Sequence, residues 1–467
     1  MQDARAAAGL PPETLAALRR AGVPAEALSV VVQEASSGRS VLQWQATRPV
    51  NPASLTKLLT TTAALERLGP AWAWTTPVWL VGSVREGVLD GSVFIKGSGD
   101  PKLVLERVWL LLRRVQQQGV REIRGDIVLD NSAFNVPDTP PGEFDGEVLR
   151  PYNVRSAALL MNFRAVVYTF VPDPAAGVAR VLVEPPLAGA QVDRTVPLTA
   201  GPCEDWRAAL KASFDSARTR FGGSYAAGCG ELSWPVADPQ PSTYEARLLA
   251  ALWREMGGEL RGTVHEGLAP TQTAPSFEIR SPPLAELVRD INKYSNNVMA
   301  QQLFLTLALQ ASPKAVATPE GARETLLNWL AEHGPERGAD AAGEAGEAAD
   351  AVVIDNGSGL SRNTRISAQR LARVLLQTYA SPVMSELMSS LPLSGLDGTL
   401  RRSKATPGRA HLKTGSLRDV AGVAGYVLSH SGKRYVLVAI INHPQANAAR
   451  PALDALVQWT LRDAPTR

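Results

Sequence analysis

The chain contains 467 residues, 45% of them hydrophobic, with 48 basic residues against 45 acidic ones. This length and composition predict a globular protein with a large core and roughly two to four domains. The net charge of only +3 argues against nucleic acid as a partner and against a polybasic membrane anchor.

The apolar segments are too short for membrane-spanning helices, which need about 18 consecutive apolar residues. Tyr435 to Ile441, one of the longest, has the length of a strand. We therefore expect no transmembrane segment, and peripheral membrane association stays open. Met1 to Leu10 contain no apolar core followed by a cleavage site, so we expect no signal peptide in this sequence. The protein is then either cytoplasmic or has lost its signal.

The cysteines and histidines give little chemistry by themselves. Cys203 and Cys229 lie 26 positions apart, which is compatible both with a disulfide and with two unpaired thiols in a reducing compartment. None of the five histidines has ligand spacing to a cysteine, so we expect no metal site and no cofactor.

The N-terminal segment alternates helical and extended patterns. A helix is predicted from Pro12 to Gly22, and strands at Leu28–Gln33 and Val41–Thr47 form a hairpin. Asn51-Pro52-Ala53 breaks the pattern and opens a helix, with Ser54 in its first turn.

The middle of the chain has a different texture. From about Trp74 to Ser276 it consists of short β-rich runs separated by Gly, Pro and Asp, which indicates inserted material. One long helical pattern covers Pro283–Leu309, and another covers Pro319–His333. Gly334 to Asp350 is almost entirely Gly, Ala, Glu and Asp, which predicts a flexible surface loop.

The C-terminal part returns to regular α and β patterns. It predicts a helix at Ser367–Tyr379, adjacent strands at Val423–Leu428 and Arg434–Ile441, and a final helix at Arg450–Arg462. Helices and strands at both ends of the chain, with β-rich material between them, indicate one α/β domain interrupted by an insertion.

Ser54-Leu55-Thr56-Lys57 places a lysine one helical turn after a serine, on the same helix face. A serine hydroxyl is a poor nucleophile until a nearby base takes its proton, and a desolvated lysine can be that base. The pattern alone is weak, because Ser-x-x-Lys arises by chance in many chains of this length.

Two further short segments complement this pair. In Ser295-Asn296-Asn297 the Ser295 hydroxyl is suited to relay a proton and the Asn297 amide to hold a substrate carbonyl. A polar break in the helix, or a polar helix surface, is the alternative explanation. In Lys413-Thr414-Gly415 a strand would present a cation and a hydroxyl to a carboxylate, and the glycine would admit a close backbone. Ser-x-x-Lys, Ser-x-Asn and Lys-Thr-Gly in this order form a known catalytic signature.

These motifs resemble those of penicillin-binding proteins and serine β-lactamases. The flanking sequence is similar to the class C low-molecular-mass penicillin-binding proteins, the D-Ala-D-Ala carboxypeptidases and endopeptidases of the penicillin-binding protein 4 kind (peptidase family S13). The segments that carry the similarity are Asn51–Ser54, Lys96–Pro101, Gly125–Asp130, Asp355–Arg362 and His411–Ser416.

The resemblance implies the fold class α/β (α+β), with the penicillin-recognising serine transferase fold: an antiparallel sheet flanked by helices, and two nested β-rich inserted domains. Ser295 lies more than 200 positions after Lys57, which agrees with a long insertion. The implied domains are the catalytic domain at 1–75 and 277–467, inserted domain II at 76–95 and 165–276, and nested domain III at 96–164.

The resemblance also implies roles at the site. Ser54 would attack the carbonyl between two D-alanines with Lys57 as base, and Ser295 would pass a proton to the leaving amine. Lys413 and Thr414 would hold the terminal carboxylate, next to Gly415. The backbone N–H groups of Ser54 and Ser416 would form the oxyanion hole. Arg362 and an acidic residue, Asp145 or Glu147, would bind a diaminopimelate side chain.

The same resemblance implies a periplasmic protein whose signal has been removed, and it favours a Cys203–Cys229 disulfide. The implied ligands are peptidoglycan stem peptides and β-lactam antibiotics, and a homodimer stays open. Two alternatives differ in function: a serine β-lactamase, which the long insertion disfavours, and a catalytically inactive peptidoglycan-binding protein, which the complete set of reacting residues disfavours. A Ser-His-Asp hydrolase is disfavoured because no Gly-x-Ser-x-Gly elbow is present.

Overall fold

The structure of the protein is a computed structural model that describes residues 9–215, 218–312, 315–334 and 352–463. The chain divides into two compact units: unit 1 comprises Met1–Ala73 and Pro282–Arg467, and unit 2 comprises Trp74–Ser281. The predicted acidic loop, apart from Gly334, lies outside the described residues. No helix in the described ranges is both long and apolar enough to cross a bilayer.

Over the described ranges, unit 1 contains one five-stranded antiparallel sheet. Its strands, in spatial order, are Ala410–Leu417, Val420–Leu428, Arg434–Asn442, Leu28–Glu34 and Ser40–Trp44. The first of these is called the edge strand below. Val420–Leu428 and Arg434–Asn442 are buried along nearly their whole length. Such continuous apolar strands need cover on both faces of the sheet.

Helices supply that cover. Helices Pro12–Arg20 and Arg450–Leu461 share one apolar core with the sheet, and Ala368–Tyr379 packs against Leu28–Glu34 and Arg434–Asn442. The other α-helices in the described part of unit 1 are Thr56–Leu68, Leu284–Tyr294, Asn297–Ala311, Pro319–Glu332 and Met384–Ser390. The first of them, called the nucleophile helix below, is buried from Thr56 to Leu65 and is therefore a rigid support for side chains at its start.

The prediction of one continuous helix over Pro283–Leu309 is wrong. The chain leaves the helix at Ser295, whose φ of 56° and ψ of 39° are left-handed, and a second helix begins at Asn297. Asn296 caps the second helix, because its side-chain oxygen accepts a hydrogen bond from the Met299 N–H at 3.0 Å. Asparagine is favoured at such a cap and disfavoured in a helix interior, which is the physical reason for the break.

Unit 2 is rich in strands, as the short β patterns predict. Among its described residues, one sheet contains Thr75–Arg85, Val88–Lys96, Glu122–Ile123, Ile127–Asp130, Glu259–Leu260, Val264–Glu266 and Phe277–Arg280. A second contains Ala165–Asp173, Val178–Glu184, Thr195–Thr199, Tyr225–Ala226 and Leu232–Ala237, and a third contains Gln191–Val192, Ala212–Phe214 and Arg218–Phe221. The helices are Leu105–Gln117, Trp206–Ala209 and Tyr244–Glu255.

The strand pairing in unit 2 bears on the predicted nested domain at 96–164. Ile127–Asp130 pairs with Val88–Lys96 on one side and with Val264–Glu266 on the other. One apolar cluster also joins residues from all parts of unit 2. The pairing therefore does not separate 96–164 from 76–95, and the three-domain division stays a prediction.

Candidate active site

The turn before the nucleophile helix is fixed by one buried asparagine. The Asn51 side chain accepts a hydrogen bond from the Ala53 N–H at 2.8 Å and donates one to the Ser361 carbonyl at 2.9 Å. Its own N–H donates to the Asn442 side chain at 2.8 Å. Ala53 has a φ of 48°, and the chain then makes a short 3-10 turn, Ala53–Leu55. These contacts hold a strained turn that presents Ser54 at the helix start.

Ser54 and Lys57 are in direct contact. The Lys57 amine lies 2.9 Å from the Ser54 hydroxyl oxygen, 2.7 Å from the Asn297 side-chain oxygen and 2.6 Å from the Ser358 carbonyl oxygen. Lys57 is completely buried, whereas Ser54 is partly exposed. The base is thus shielded from water while the nucleophile can be reached by a substrate.

The environment favours the neutral form of this amine. Burial, and after it the charge of Lys413, lower the pKa of Lys57 well below the ordinary lysine value. A neutral amine has two N–H bonds and one lone pair. The Asn297 and Ser358 oxygens can take the two N–H donors, which leaves the lone pair directed at the Ser54 hydroxyl. This is the arrangement a general base requires.

A second lysine and serine face each other in the same unit. The Lys413 amine donates to the Ser295 hydroxyl at 2.9 Å and to the Thr414 carbonyl at 2.8 Å. Lys413 is also completely buried, and burial lowers its pKa to about 7. Ser295 makes this contact from a left-handed backbone, at the break between two helices.

The Lys-Thr-Gly segment lies on the edge strand, paired with Val420–Leu428. A Cβ atom at Gly415 would lie 2.6 Å from the Pro52 carbonyl oxygen, so glycine allows the strand to approach the turn before Ser54. The Thr414 hydroxyl donates to the Thr399 hydroxyl at 2.7 Å. The Ser416 hydroxyl accepts a hydrogen bond from the Arg450 guanidinium at 2.6 Å.

The structure therefore brings the three short motifs together. Asn297 touches Lys57, Gly415 adjoins the turn before Ser54, and the Lys413 charge acts on Lys57. Segments more than 200 positions apart in the chain meet in unit 1 around two buried amines.

Comparison with known proteins identifies the family to which this arrangement belongs. Residues 15–463 match the model of the D-Ala-D-Ala carboxypeptidase 3 (S13) family. The chain belongs to this family. It is therefore a homologue of serine hydrolases, and the resemblance inferred from the motifs is confirmed, as is the α/β fold class.

Individual relatives support the same assignment. The D-alanyl-D-alanine carboxypeptidase DacB of Haemophilus influenzae is 25% identical over 395 residues, covering 84% of this chain and 80% of the relative. The crystal structure of penicillin binding protein 4 (dacB) from Haemophilus influenzae has a TM-score of 0.73 at 22% identity, over 95% of this chain and 99% of that one. A predatory peptidoglycan endopeptidase of Bdellovibrio bacteriovorus has a TM-score of 0.51 at 16% identity, over 93% and 92%. At such identities the structures show a shared fold.

The S13 resemblance also implies that Arg362, with Asp145 or Glu147, binds the substrate. These side chains take no part in the hydrogen bonds around Lys57 and Lys413 described above. Arg362 forms an ion pair with Asp419 at 3.0 Å, and both side chains are about half exposed. In unit 2, Asp145 accepts hydrogen bonds from the Tyr152 hydroxyl and the Asn153 amide, each at 2.8 Å. Its neighbour Glu147 pairs with Arg150 at 3.2 Å. Their part in substrate binding stays a prediction.

Cys203 and Cys229 form a disulfide within unit 2. In the part of the chain that the structure describes, no group of three or more His, Cys, Asp or Glu side chains is placed to hold a metal ion.

Sequence reasoning missed the contribution of the Asn356–Gly359 turn. The Ser358 carbonyl accepts from Lys57, and Asn356 holds the turn by accepting from the Ser358 and Gly359 N–H groups, both at 3.0 Å. A Cβ at Gly359 would lie 1.9 Å from the Ala53 carbonyl oxygen. The Asn-Gly-Ser-Gly sequence signals a tight turn, but it carries no sign that the turn reaches a lysine 301 positions earlier.

Proposed function

We propose that the protein is a serine D-Ala-D-Ala carboxypeptidase and DD-endopeptidase that trims stem peptides and cleaves cross-links of bacterial peptidoglycan through an acyl-enzyme on Ser54. One observation carries the proposal: a buried amine with a strongly lowered pKa lies 2.9 Å from a partly exposed serine hydroxyl. Membership of the S13 family supplies the substrate class.

Acylation begins at Ser54. Its oxygen attacks the carbonyl carbon between two D-alanines while its proton moves to the lone pair of Lys57. The backbone N–H groups of Ser54 and Ser416 stabilise the resulting oxyanion, and losing one such donor typically costs about 3 kcal/mol. The Asn297 amide, already oriented by Lys57, can hold a substrate carbonyl.

The leaving amine must depart protonated. We propose that it receives the proton that Lys57 took from Ser54, by way of the Ser295 hydroxyl, so that Lys57 becomes neutral again. The Lys413 amine holds that hydroxyl at 2.9 Å. The C–N bond then breaks and leaves the acyl group on Ser54. Addition of water to the acyl carbon breaks the bond to the serine oxygen and returns a proton to Ser54, which completes hydrolysis.

Lys413 and Thr414 are proposed to bind the carboxylate of the substrate. In carboxypeptidase action this is the free end of a stem peptide, and in endopeptidase action it is the carboxylate of a diaminopimelate centre. The solved Bdellovibrio relative is a peptidoglycan endopeptidase, which supports the second activity. Arg362 and Asp145 are proposed to contact the diaminopimelate side chain, and each would exchange its present protein partner for the ligand.

Penicillins are proposed to inhibit by acylating Ser54, since a β-lactam offers a strained amide with a carboxylate at a similar distance. The proposed location is the periplasm, with the stem peptides as ligands. We further propose a catalytic domain of 1–75 and 277–467, in line with the extent of unit 1. The nested division of the remainder has less support from strand pairing. A homodimer and peripheral membrane association stay open.

The nucleophile is tested by labelling with a fluorescent penicillin. Ser54→Ala should abolish covalent labelling, because among the described residues Ser54 carries the one hydroxyl that is hydrogen-bonded to the Lys57 amine. Ser37→Ala is the matched control, since Ser37 is exposed and its hydroxyl bonds only to neighbours in its own turn, Glu34 at 3.1 Å and the Arg39 N–H at 3.3 Å, in the described structure. Labelling that survives Ser54→Ala would show that the nucleophile is assigned incorrectly. Mass spectrometry of the intact protein after benzylpenicillin gives the site and the turnover of the adduct.

The alternatives separate in one parallel assay. A carboxypeptidase releases D-alanine from a diacetyl-Lys-D-Ala-D-Ala peptide and opens a cephalosporin ring slowly. A β-lactamase opens the cephalosporin ring rapidly and releases little D-alanine. An inactive binding protein does neither. The endopeptidase activity is measured separately, as the conversion of cross-linked muropeptide dimers into monomers.

A further inference from the structure

A segment outside the three motifs contacts the edge strand at its Lys-Thr-Gly motif. It runs from Leu393 to Leu400, between helix Met384–Ser390 and the edge strand, and it places the exposed Thr399 hydroxyl 2.7 Å from that of Thr414. Thr414 is the residue proposed to bind the substrate carboxylate. A second hydroxyl therefore lies at the carboxylate position, from a part of the chain to which no role has been assigned.

The hydrogen-bond geometry gives Thr399 a distinct task. A threonine hydroxyl has one proton to donate and two lone pairs. Thr414 donates its proton to Thr399, so that proton is directed at a protein oxygen. The Thr399 proton is not used in this bond and is carried by an exposed side chain. An incoming anion can therefore receive a hydrogen bond from Thr399, and one from Thr414 once the Thr414 proton turns from Thr399 to the anion.

The backbone around Thr399 is anchored to the Ser295 turn. Gly398 has a φ of 52°, and a Cβ atom there would lie 2.5 Å from the Lys293 carbonyl oxygen. Asp397 accepts a hydrogen bond from the Leu393 N–H at 2.8 Å and one from the Lys293 amine at 2.6 Å. The position of Thr399 is thus set by contacts two residues before Ser295, which is part of the site.

The same ion pair removes an electrostatic conflict. Asp397 lies two residues before Thr399, and an unpaired carboxylate there would repel the carboxylate of a ligand. Lys293, whose side chain is only 7% exposed, balances that charge at 2.6 Å. The Asp397–Lys293 pair makes the Leu393–Leu400 segment compatible with an anion beside it.

We propose that Thr399 is a substrate-binding residue, a second hydroxyl that donates to the carboxylate of the peptide or β-lactam beside Thr414, on a segment anchored by the Asp397–Lys293 pair. This inference rests on the proposed function, because it assigns a further contact to the same site. It adds a recognition element that the Ser-x-x-Lys, Ser-x-Asn and Lys-Thr-Gly motifs do not contain.

The test compares Thr399→Val with Thr399→Ser in the full chain. Valine keeps the size and removes the hydroxyl, whereas serine keeps the hydroxyl. The second-order rate of acylation by benzylpenicillin, and kcat/KM for the diacetyl-Lys-D-Ala-D-Ala peptide, should fall about 10-fold in Thr399→Val, as is typical when one hydrogen bond to a charged group is lost. In Thr399→Ser both should stay within about 2-fold of the wild type. Thermal unfolding should be unchanged in both, and Thr399→Ala serves as a second hydroxyl-free variant.

A double-variant cycle separates direct contact from an effect exerted through Thr414. If Thr399 touches the ligand, Thr399→Val lowers the acylation rate again when it is added to Thr414→Val. If the second substitution changes nothing in that background, Thr399 only orients Thr414, and the proposal is overturned. It is also overturned if Thr399→Val reacts like the wild type.

Failure of this inference is distinguishable from failure of the proposed function. If the wild-type protein neither binds penicillin covalently nor releases D-alanine, the proposed function is wrong, and so is this role for Thr399. If the wild-type protein shows both activities and Thr399→Val reacts at the same rate, only the role of Thr399 is wrong.

Discussion

The site contains two serine–lysine pairs that look alike and differ in their surroundings. Ser54–Lys57 and Ser295–Lys413 both have an amine 2.9 Å from a hydroxyl oxygen, and both amines are completely buried. Lys57 comes from the same helical turn as its serine. Lys413 lies on a strand 118 positions after its serine.

The difference lies in the charge that each amine experiences. The pKa of Lys413 is lowered to about 7 by burial alone, so near neutral pH a substantial fraction keeps its charge. The pKa of Lys57 is lowered by burial and also by the cation at Lys413. Lysine thus supplies both a neutral base, Lys57, and a cation, Lys413, because the charge of Lys413 disfavours protonation of Lys57.

The largest expected effect comes from breaking the first pair. Lys57→Met keeps an apolar chain of similar length and removes the base, so the rate of acylation by benzylpenicillin should fall about 10³-fold, within the usual range for loss of a general base. Stopped-flow or time-resolved labelling measures this rate. Lys433→Met is the control, because Lys433 is 49% exposed and pairs only with Glu34 in the described structure. A Lys57→Met variant that reacts like the control would remove Lys57 from the mechanism.

Breaking the Ser295–Lys413 pair should lower the rate less than breaking Ser54–Lys57, and it should change the pH dependence of kcat/KM. Lys413→Met should lower kcat/KM for the carboxylate-bearing peptide about 10²-fold, the upper range for a hydrogen bond to a charged group. In the wild type, kcat/KM should decline as the pH rises above about 7, because Lys413 loses its proton there. It should also decline at low pH, where Lys57 becomes protonated.

The two limbs of this profile respond differently to Lys413→Met. The alkaline decline should disappear, because the titrating cation is gone. The acid limb should move to higher pH, because Lys413 no longer lowers the pKa of Lys57. An alkaline limb that persists in Lys413→Met would assign that titration to another group.

The smallest expected effect concerns the turn that holds the first pair. Asn51→Ala removes the hydrogen bonds to Ala53 and Ser361, which leaves buried polar backbone groups unsatisfied. The free energy of unfolding should fall by about 1–3 kcal/mol, and acylation should slow by about 10-fold because Ser54 is held less tightly. Chemical denaturation and labelling kinetics give the two numbers. Asn363→Ala, at an exposed position, should change neither. An Asn51→Ala variant with wild-type kinetics would mean that Lys57 alone positions the nucleophile.

Sequence predicted those parts of the site that local geometry controls. Three-residue spacing on a helix places Lys57 beside Ser54 whatever the rest of the fold does, and the Lys-Thr-Gly motif led us to expect a strand at Lys413. The order of the three motifs then resembled that of penicillin-binding proteins and serine β-lactamases, and the flanking segments narrowed the resemblance to the S13 family and its α/β fold. For Ser295 the sequence left a polar break and a continuous helix both open, because the helical pattern runs from Pro283 to Leu309 across the polar segment.

Tertiary structure decided the remaining features. The Ser358 carbonyl lies 301 positions from the lysine it contacts, and Asn51 lies 391 positions from Asn442. No local pattern encodes such pairs, because they depend on how distant segments pack. The lowered pKa values follow from the same cause. The two lysines become buried and come close to each other only in the folded chain. The sequence therefore determined which groups react, and the fold determined their protonation states.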